Sequence, residues 1–346
     1  MVEICVYVNT MDRSAIEDEN NRLRLSWNWI PESHLATYLG VMEQDQRINT
    51  HSILTRALLA DTLWPGMFDG LINEELRFGV VMTWFLEQVK SGRDRFKLID
   101  DIFSPARAAA FPAVVQETVA WLQTSSCPIT DYASEALMYV PLDEPYSYLS
   151  EIALNTFMRL WSSQLADLRA DRITVIEIAC GSGNDYKAIR DFGLADHISY
   201  SGFDICLKNV RNAQVLFPGV NFFEASILDS GLPDNAFDYA FVHDLLGHLS
   251  PDGMELALTE IMRIVRKESW IHCYNAADIK SHEIHPFNLY FRNRLSIPKF
   301  VESLEKCGAS VEVIDISTML NRKFGFVPDY TASSVSFIAH KKESCG

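Results

Sequence analysis

No Cys-x-x-Cys pair occurs in this 346-residue chain, and its seven cysteines (Cys5, Cys127, Cys180, Cys206, Cys273, Cys307, Cys345) are scattered and odd in number. That excludes a disulfide framework or a zinc finger and fits buried thiols in a reducing compartment. No stretch reaches the roughly 18 consecutive apolar residues of a membrane span. The opening Met1-Val-Glu-Ile-Cys5 lacks a basic n-region, so no signal peptide is expected and the chain reads as cytoplasmic. Positive charge is also short. Lys and Arg number 30 against 46 Asp and Glu, a net charge of −16, which argues against a nucleic-acid backbone as partner. Repeats and low-complexity tracts are missing, as are Gly-x-Gly-x-x-Gly and His-Glu-x-x-His. The first absence argues against a dinucleotide-binding dehydrogenase and the second against a metal site.

What is present is 48% hydrophobic, enough for a large core in one enlarged domain or two. The first 140 residues read as a mostly helical domain. Apolar positions recur at helical spacing from Thr50 to Ala60 and from Glu74 to Lys90, Ser104-Pro105 has cap-plus-proline form, and Ala113 to Gln123 continues in the same style. Ser125 to Asp131 and Pro141 to Pro145 read as linkers. A second domain, 141–346, begins with a helix over Ser150–Arg169 and then alternates. Strands are expected at Ile173–Ile178, Ser199–Asp204, Val220–Glu224, Phe237–His243 and Trp270–Asn275, with helices at Leu207–Leu216 and Gly253–Arg266. Such alternation implies a parallel sheet covered on both faces. After a helix at Pro298–Cys307, strands at Ser310–Ile316 and Ser333–Lys341 have no clear helix between them, which predicts an antiparallel closing pair.

The densest signal is Ile173-Thr-Val-Ile-Glu-Ile-Ala-Cys-Gly-Ser-Gly-Asn-Asp185. A β-branched strand carrying Glu177 runs into a small-residue turn with Gly181 and Gly183, and a helix opens near Asp185. That turn brings bare backbone N–H groups to a ligand. Asp204 ends the second strand, Ser226-Ile227 follows the third and His243 ends the fourth. Ligands of open α/β sheets sit at the carboxyl ends of strands, so these residues converge. Asp204 is placed for ribose hydroxyls and Ser226-Ile227 for an adenine edge.

This ordered set resembles the class I S-adenosylmethionine-dependent methyltransferase superfamily over roughly residues 145 to 341. The Glu/Asp-x-Gly-x-Gly-x-Gly signature appears as Glu177-Ile-Ala179-Cys-Gly181-Ser-Gly183, with Ala179 in the first glycine place. Asp204-Ile205 matches the acid after the second strand, and Ser226-Ile227 stands where the family has an acid and an apolar residue. Leu232-Pro-Asp-Asn-Ala-Phe-Asp238 is similar to the loop into the fourth strand. Leu246–Leu249 and Glu260–Lys267 are similar to the following helix, with Lys267-Glu-Ser-Trp270 as a loop in place of Pro-Gly-Gly. The resemblance implies a Rossmann-like, doubly wound seven-stranded sheet with an antiparallel last strand, and S-adenosyl-L-methionine as cofactor. The implied cofactor residues are Tyr148, Glu177, Ala179, Gly181, Gly183, Asp204, Ile205, Ser226, Ile227 and His243; Tyr146 and Tyr148 would close over the methionine end.

Methyl transfer is an in-line displacement in which alignment supplies much of the rate. A base is required only where the acceptor must lose a proton. The candidates are His248, Asp244 and His285, with an alternative role in capping or packing for the first two. His282–Phe291 is the expected acceptor-docking stretch. The Asn/Asp-Pro-Pro-Tyr motif of relatives that methylate nucleic-acid bases is missing, which together with the charge favours a small organic acceptor and a place in a biosynthetic pathway. The helical domain would be a lid, part of the acceptor site or a homodimer contact. The alternatives are a non-catalytic partner subunit or sensor built on the cofactor fold, supported by Ala179, Asn184 and Ser226, and a non-methylating use of the sulfonium.

Overall fold

The computed structural model describes residues 13–28, 48–124, 129–138, 148–149, 151–166, 168, 172–287, 290–325 and 333–342. Cys5, Cys127, Cys345, Tyr146 and the linker Pro141–Pro145 lie outside them. The helices are α1 (Arg13–Asn28), α2 (Thr50–Leu63), α3 (Asp69–Lys90), α4 (Arg95–Ile102), α5 (Pro105–Ala108), α6 (Ala113–Thr124), α7 (Ile129–Met138) and α8 (Glu151–Leu165), followed by α9 (Asn184–Asp191), α10 (Leu207–Leu216), α11 (Pro251–Ile264), α12 (Ile297–Lys306) and α13 (Ile316–Phe324). The main sheet is built from β1 (Ile173–Ile178), β2 (Ile198–Asp204), β3 (Asn221–Glu224), β4 (Phe237–His243), β5 (Val265–Cys273), β6 (Ala309–Asp315) and β7 (Val335–Lys341). Two-residue strands add short pairings at its margins, among them Ile48–Asn49 with Tyr148–Leu149.

Strand order in the sheet is β6-β7-β5-β4-β1-β2-β3, with β7 antiparallel to both neighbours and the other pairings parallel. The order reverses at β1 and β4, which opens a crevice beyond their carboxyl ends. Strand alternation divides the core. Val175, Phe241 and Trp270 face one cluster, shared with α9, with α2 to α4 and with α6 to α8. Ile176, Ile178, Val242 and Ile271 face the other, closed by α11 and α12. The sheet is therefore covered on both faces, as the alternation of elements predicted. Glu177 falls on the same side as Val175 by the two-residue period.

Four local readings need correction. Ile129–Asp131 is the first turn of α7 rather than linker, because Ala133, Ala136 and Leu137 bury one side of that segment. Lys267–Trp270 is not a loop: α11 ends at Ile264 and the chain enters β5 directly, where β7 pairs Glu268 with His340 and Trp270 with Ile338. A helix, α13, does separate the last two strands. It is capped by Asp315, which accepts from the Thr318 N–H at 2.6 Å, and ends at Gly325 in the left-handed region. Leu246–His248 forms one 3-10 turn, and α11 starts after Ser250, whose side chain accepts from the Gly253 N–H.

Candidate functional site

The turn after β1 is built from alternate left-handed residues: Ala179 at φ 58°, Gly181 at φ 55° and Gly183 at φ 85°. A Cβ at Gly181 would meet nothing within 4 Å, so the turn presents bare backbone to open space. A Cβ at Gly183 would lie 2.7 Å from the Phe217 ring, which explains why only glycine fits there. The Cys180 N–H donates to the Phe203 carbonyl at 3.0 Å and the Gly181 N–H to Asp204 Oδ2 at 3.0 Å, locking this turn to the end of β2. Asp204 Oδ1 accepts from the Cys206 N–H at 2.7 Å and from Asn209 Nδ2 at 3.4 Å. Burial pushes the Asp204 carboxyl up, against the pull of its donors at Cys206, Gly181 and Asn209.

Glu177 is buried on the α9 side, where the Tyr200 hydroxyl donates to it. Burial raises its carboxyl well above the usual range, and the Asp185 charge adds to that rise. Asp185, in the first turn of α9, accepts from His243 Nδ1 at 2.7 Å, and His243 Nε2 contacts the Tyr274 hydroxyl just past the end of β5. Burial alone would lower the His243 imidazole, but the Asp185 carboxylate, as charge and as hydrogen-bond partner, holds it above its ordinary value with help from Asp244. His272, the β5 partner of His243, is pushed well down by burial and by the charge on His243. It pairs through Nδ1 with Ser336 Oγ at 2.7 Å.

The remaining sequence candidates distribute as follows. Asp244 takes φ 50°, and its N–H donates to the His272 carbonyl at 2.9 Å. His248 Nε2 lies 3.9 Å from Asp244 Oδ2, and its ring meets Tyr290 with centroids 5.3 Å apart. His285 is exposed on the segment after β5, where its N–H donates to Asn293 Oδ1 at 3.2 Å. Ile205 is half-buried beside Asp204 and Ile227 is buried behind Ser226. Ser226 donates to Asn20 Oδ1 on α1, and Arg24 of the same helix pairs with Glu224. Tyr148 sits in the short strand opposite Asn49. The structure thus joins Ala179, Gly181, Gly183, Asp204 and His243 at one edge, and it adds Asp185, Tyr274 and Asn20. Asp185 lies just after the glycine turn and Tyr274 directly follows the strand beside β4, signals the sequence already carried. Nothing local marks Asn20.

The methyltransferase-domain family matches residues 176–273, from β1 to the last residue of β5. Over these residues the chain is similar to class I S-adenosylmethionine-dependent methyltransferases, a match that supports S-adenosylmethionine as the cofactor. The methyltransferase domain is similar in architecture to solved structures at low identity. One is the 1,6-didemethyltoxoflavin-N1-methyltransferase of Burkholderia thailandensis, with 15% identity, 55% of this chain and 78% of that chain covered, and a TM-score of 0.40. Another is the magnesium protoporphyrin IX methyltransferase of Synechocystis PCC 6803, with 16% identity, 55% and 79% covered, and a TM-score of 0.36. A third is an S-adenosylmethionine-dependent methyltransferase of Mesorhizobium loti, with 12% identity, 54% and 100% covered, and a TM-score of 0.39. No curated protein matches the chain.

The residues at this edge fit the cofactor. Three carboxylates (Glu177, Asp185 and Asp204) gather where it would lie, facing backbone N–H groups, Tyr200 and His243. A positively charged ligand would favour the ionised form of these acids against the burial that raises Glu177 and Asp204. A carboxylate has about four acceptor sites, so Asp204 keeps capacity for a ribose hydroxyl beyond its present donors. Among the described residues no helix is long and apolar enough to cross a membrane, and no cluster of His, Cys, Asp and Glu has metal-ligand form.

Proposed function

We propose that the protein transfers a methyl group from S-adenosylmethionine to a small organic acceptor. The observation that carries this reading is the bracket of Asp204 across the Gly181 and Cys206 N–H groups, at the point where the strand order reverses. Bound there, S-adenosylmethionine supplies an electrophilic methyl group for in-line displacement. Gly181 and Gly183 would let its methionine end approach backbone, with Tyr148 and Glu177 alongside and Ala179 holding the turn. Asp204 and Ile205 would hold the ribose, while Ser226, Ile227 and Asn20 would frame the adenine. His243 would line the centre of the cleft.

A small acceptor is supported by size and charge. A cleft of about 340 Å³, lined by Asn275, His285, Phe287, Arg292, Asn293 and Ser333, opens on the segment after β5 and falls in the range of small-molecule sites. The net charge of −16 disfavours a nucleic-acid acceptor. The helices up to residue 140 would roof the acceptor side, since Thr55 and Leu58 of α2 face Phe241, Trp270 and His272 across a small void. His248, Asp244 and His285 remain candidates for acceptor contact. The test is calorimetry with S-adenosylhomocysteine, followed by label transfer from methyl-labelled cofactor into a low-mass cell extract. Binding at micromolar concentration with labelled product supports the reading. No binding would end it, and binding without transfer would favour a sensor or partner subunit.

A further inference from the structure

The segment after β5 pairs with itself in antiparallel fashion. Phe287 lies opposite Tyr290, and the Arg292 N–H donates to the His285 carbonyl at 2.8 Å. Further along, Glu283 and Arg294 exchange backbone hydrogen bonds of 3.0 and 2.9 Å. Residues directly opposite share a face in such a pairing, and so do alternate residues along each arm. Glu283, His285, Phe287, Tyr290, Arg292 and Arg294 therefore belong to one face. The other face serves the fold: Asn293 and Leu295 are buried, and Ile284 packs on the sheet core. Two bonds tie these arms to the carboxyl edge of the sheet. The Asn293 N–H donates to the Gly247 carbonyl at 2.8 Å, beyond β4, and the Leu295 N–H to the Asn275 carbonyl at 2.7 Å, beyond β5. Asn293 Nδ2 adds a third bond, to the Leu249 carbonyl at 2.7 Å.

The cleft of about 340 Å³ lies against the first face, where His285, Phe287, Arg292 and Arg294 line it together with Asn275 and Ser333. Its lining holds two guanidiniums and an imidazole and no carboxylate. Acids outnumber Lys and Arg by 46 to 30 in the chain, so this grouping is set apart from its surroundings. Arg294 Nη1 is 3.6 Å from Glu283 Oε2, but both side chains are about half exposed and such pairs hold weakly. Among the described residues no carboxylate pairs with the Arg292 guanidinium. Phe287, 43% exposed, gives the same cleft an apolar wall.

A guanidinium presents a planar fork of N–H donors that matches two oxygens of a carboxylate or phosphate. A cleft lined by charge of one sign also concentrates small ions of the other. We propose that this cleft binds the acceptor by an oxyanion, a carboxylate or a phosphate monoester. Arg292 is its anchor, Arg294 a second donor, and Phe287 covers the organic body. This rests on the methyl-transfer reading and names its substrate class: a small organic acid. The anchored oxygens spend their lone pairs on N–H donors. The methyl group therefore goes to another atom, and the product keeps its negative charge.

Ligand-observed NMR on the full chain tests it with para-fluorobenzoate, phenyl phosphate and the uncharged para-fluorobenzamide. At least one oxyanion is expected to bind at millimolar concentration, and the amide about tenfold more weakly. Arg292→Gln should weaken the oxyanion by about tenfold or more and erase its advantage over the amide. Arg292→Lys should restore part of the loss, because it returns the charge without the fork. Glu283→Gln releases Arg294 and should tighten oxyanion binding by about two- to fivefold. S-adenosylhomocysteine affinity should stay within twofold in all three variants, which shows that they fold. With methyl-labelled S-adenosylmethionine and a low-mass cell extract, the labelled product should be retained on an anion exchanger at neutral pH. The tighter of the two oxyanions names the anchored group. Equal binding of benzoate and benzamide, no oxyanion binding, or a preference unchanged in Arg292→Gln overturns the proposal. Label found only in neutral or cationic product also overturns it. If the protein binds an oxyanion but no S-adenosylhomocysteine, the methyl-transfer reading has failed and the oxyanion cleft stands. If it binds S-adenosylhomocysteine but no oxyanion, this inference alone has failed.

Discussion

The Gly181 N–H and the Asp204 Oδ2 atom, 3.0 Å apart, join the loop after the first strand of the sheet to the end of the second. One carboxylate thereby sets both the shape of the glycine turn and the position of the group that would hold a ribose. Asp204→Ala removes an acceptor from the Gly181 and Cys206 N–H groups at once. Hydrogen bonds to a charged group are worth about 1.5–3 kcal/mol each, so S-adenosylhomocysteine affinity should fall by about 10–100-fold or more. Calorimetry reads this directly, and an affinity within threefold of wild type would remove Asp204 from the site.

The alternation of left-handed residues in the same turn orders three substitutions. Ala179→Gly relieves a side chain held at φ 58° and should stabilise the fold by about 1 kcal/mol. Gly181→Ala adds a Cβ at φ 55° into open space, so only the backbone cost of about 1–2 kcal/mol applies. Gly183→Ala adds the same cost at φ 85° and drives a Cβ to 2.7 Å from the Phe217 ring, so it should lose a further 1–3 kcal/mol, roughly, from overpacking. Urea denaturation of the three variants gives the order. Equal losses for Gly181 and Gly183 would contradict the packing argument.

This turn also shows what was legible in the sequence. Strand, glycines and Asp204 follow from alternation, residue type and spacing, because a parallel sheet repeats a few local rules. The seven strands are likewise readable as short β-branched or aromatic runs, though the start of β5, which follows α11 without a turn, is not. The closing helix was overlooked although Asp315 and Gly325 bracket it with ordinary cap signals. A tertiary partner decides the rest. Lys267–Trp270 joins a strand because β7 lies beside it, and Tyr274 meets His243 because the latter ends the neighbouring strand. Asn20 meets Ser226 across 206 positions of chain, and no local pattern encodes that.

Arg56 and Glu75 pair with no exposed side-chain surface, and the guanidinium lies 3.0 Å from the centroid of the Phe192 ring. Glu75 also accepts from Trp161 Nε1 at 3.3 Å. Burial pushes the Arg56 guanidinium down, opposed by the Asp191 charge. This pair ties α2 and α3 to the end of α9. Removing one partner strands a buried charge, so Glu75→Ala should cost about 3–5 kcal/mol, while Arg56→Met with Glu75→Leu should recover most of that. Guanidinium denaturation of single and double variants checks it; a double variant no better than the single one would refute the account.

Asp238 gives a pH dependence of definite sign. Its Oδ2 accepts from the Thr174 N–H at 3.0 Å and the Thr174 hydroxyl at 2.9 Å, and Oδ1 accepts from Arg266 Nε at 3.1 Å. Partial burial raises the carboxyl, but Arg266 and Thr174 outweigh it and hold it at about 2. A depressed carboxyl contributes stability in full above its unfolded value, near 4, and loses it as pH falls through about 2. The contribution is about 2 kcal/mol at neutral pH. The stability gap between wild type and Asp238→Asn should be full at pH 6 and shrink steadily below pH 4. A gap that stays constant down to pH 2 would show that the charge is not its source.

α1 lies across the edge where the adenine would bind. Ser226 donates to Asn20 Oδ1, Arg24 pairs with Glu224, and Leu23 is buried in the sheet core. Ser226 stands where the family has an acid, and a hydroxyl alone is a weaker reader of an amino group than a carboxylate. Asn20 brings an amide oxygen to that spot as a second acceptor. If the pair reads the adenine amino group together, Asn20→Ala should weaken S-adenosylhomocysteine binding by about 3–10-fold, the loss of one neutral hydrogen bond. Arg24→Ala removes a pair whose Arg side is 42% exposed, and exposed pairs contribute little, so its effect should stay within about threefold. The decisive ligand is S-inosylhomocysteine, which carries a carbonyl in place of the amino group. Asn20→Ala should bind it as well as wild type does, because the lost contact no longer exists. An equal penalty with both ligands would assign Asn20 to holding α1 in place and leave the adenine to Ser226 and Ile227.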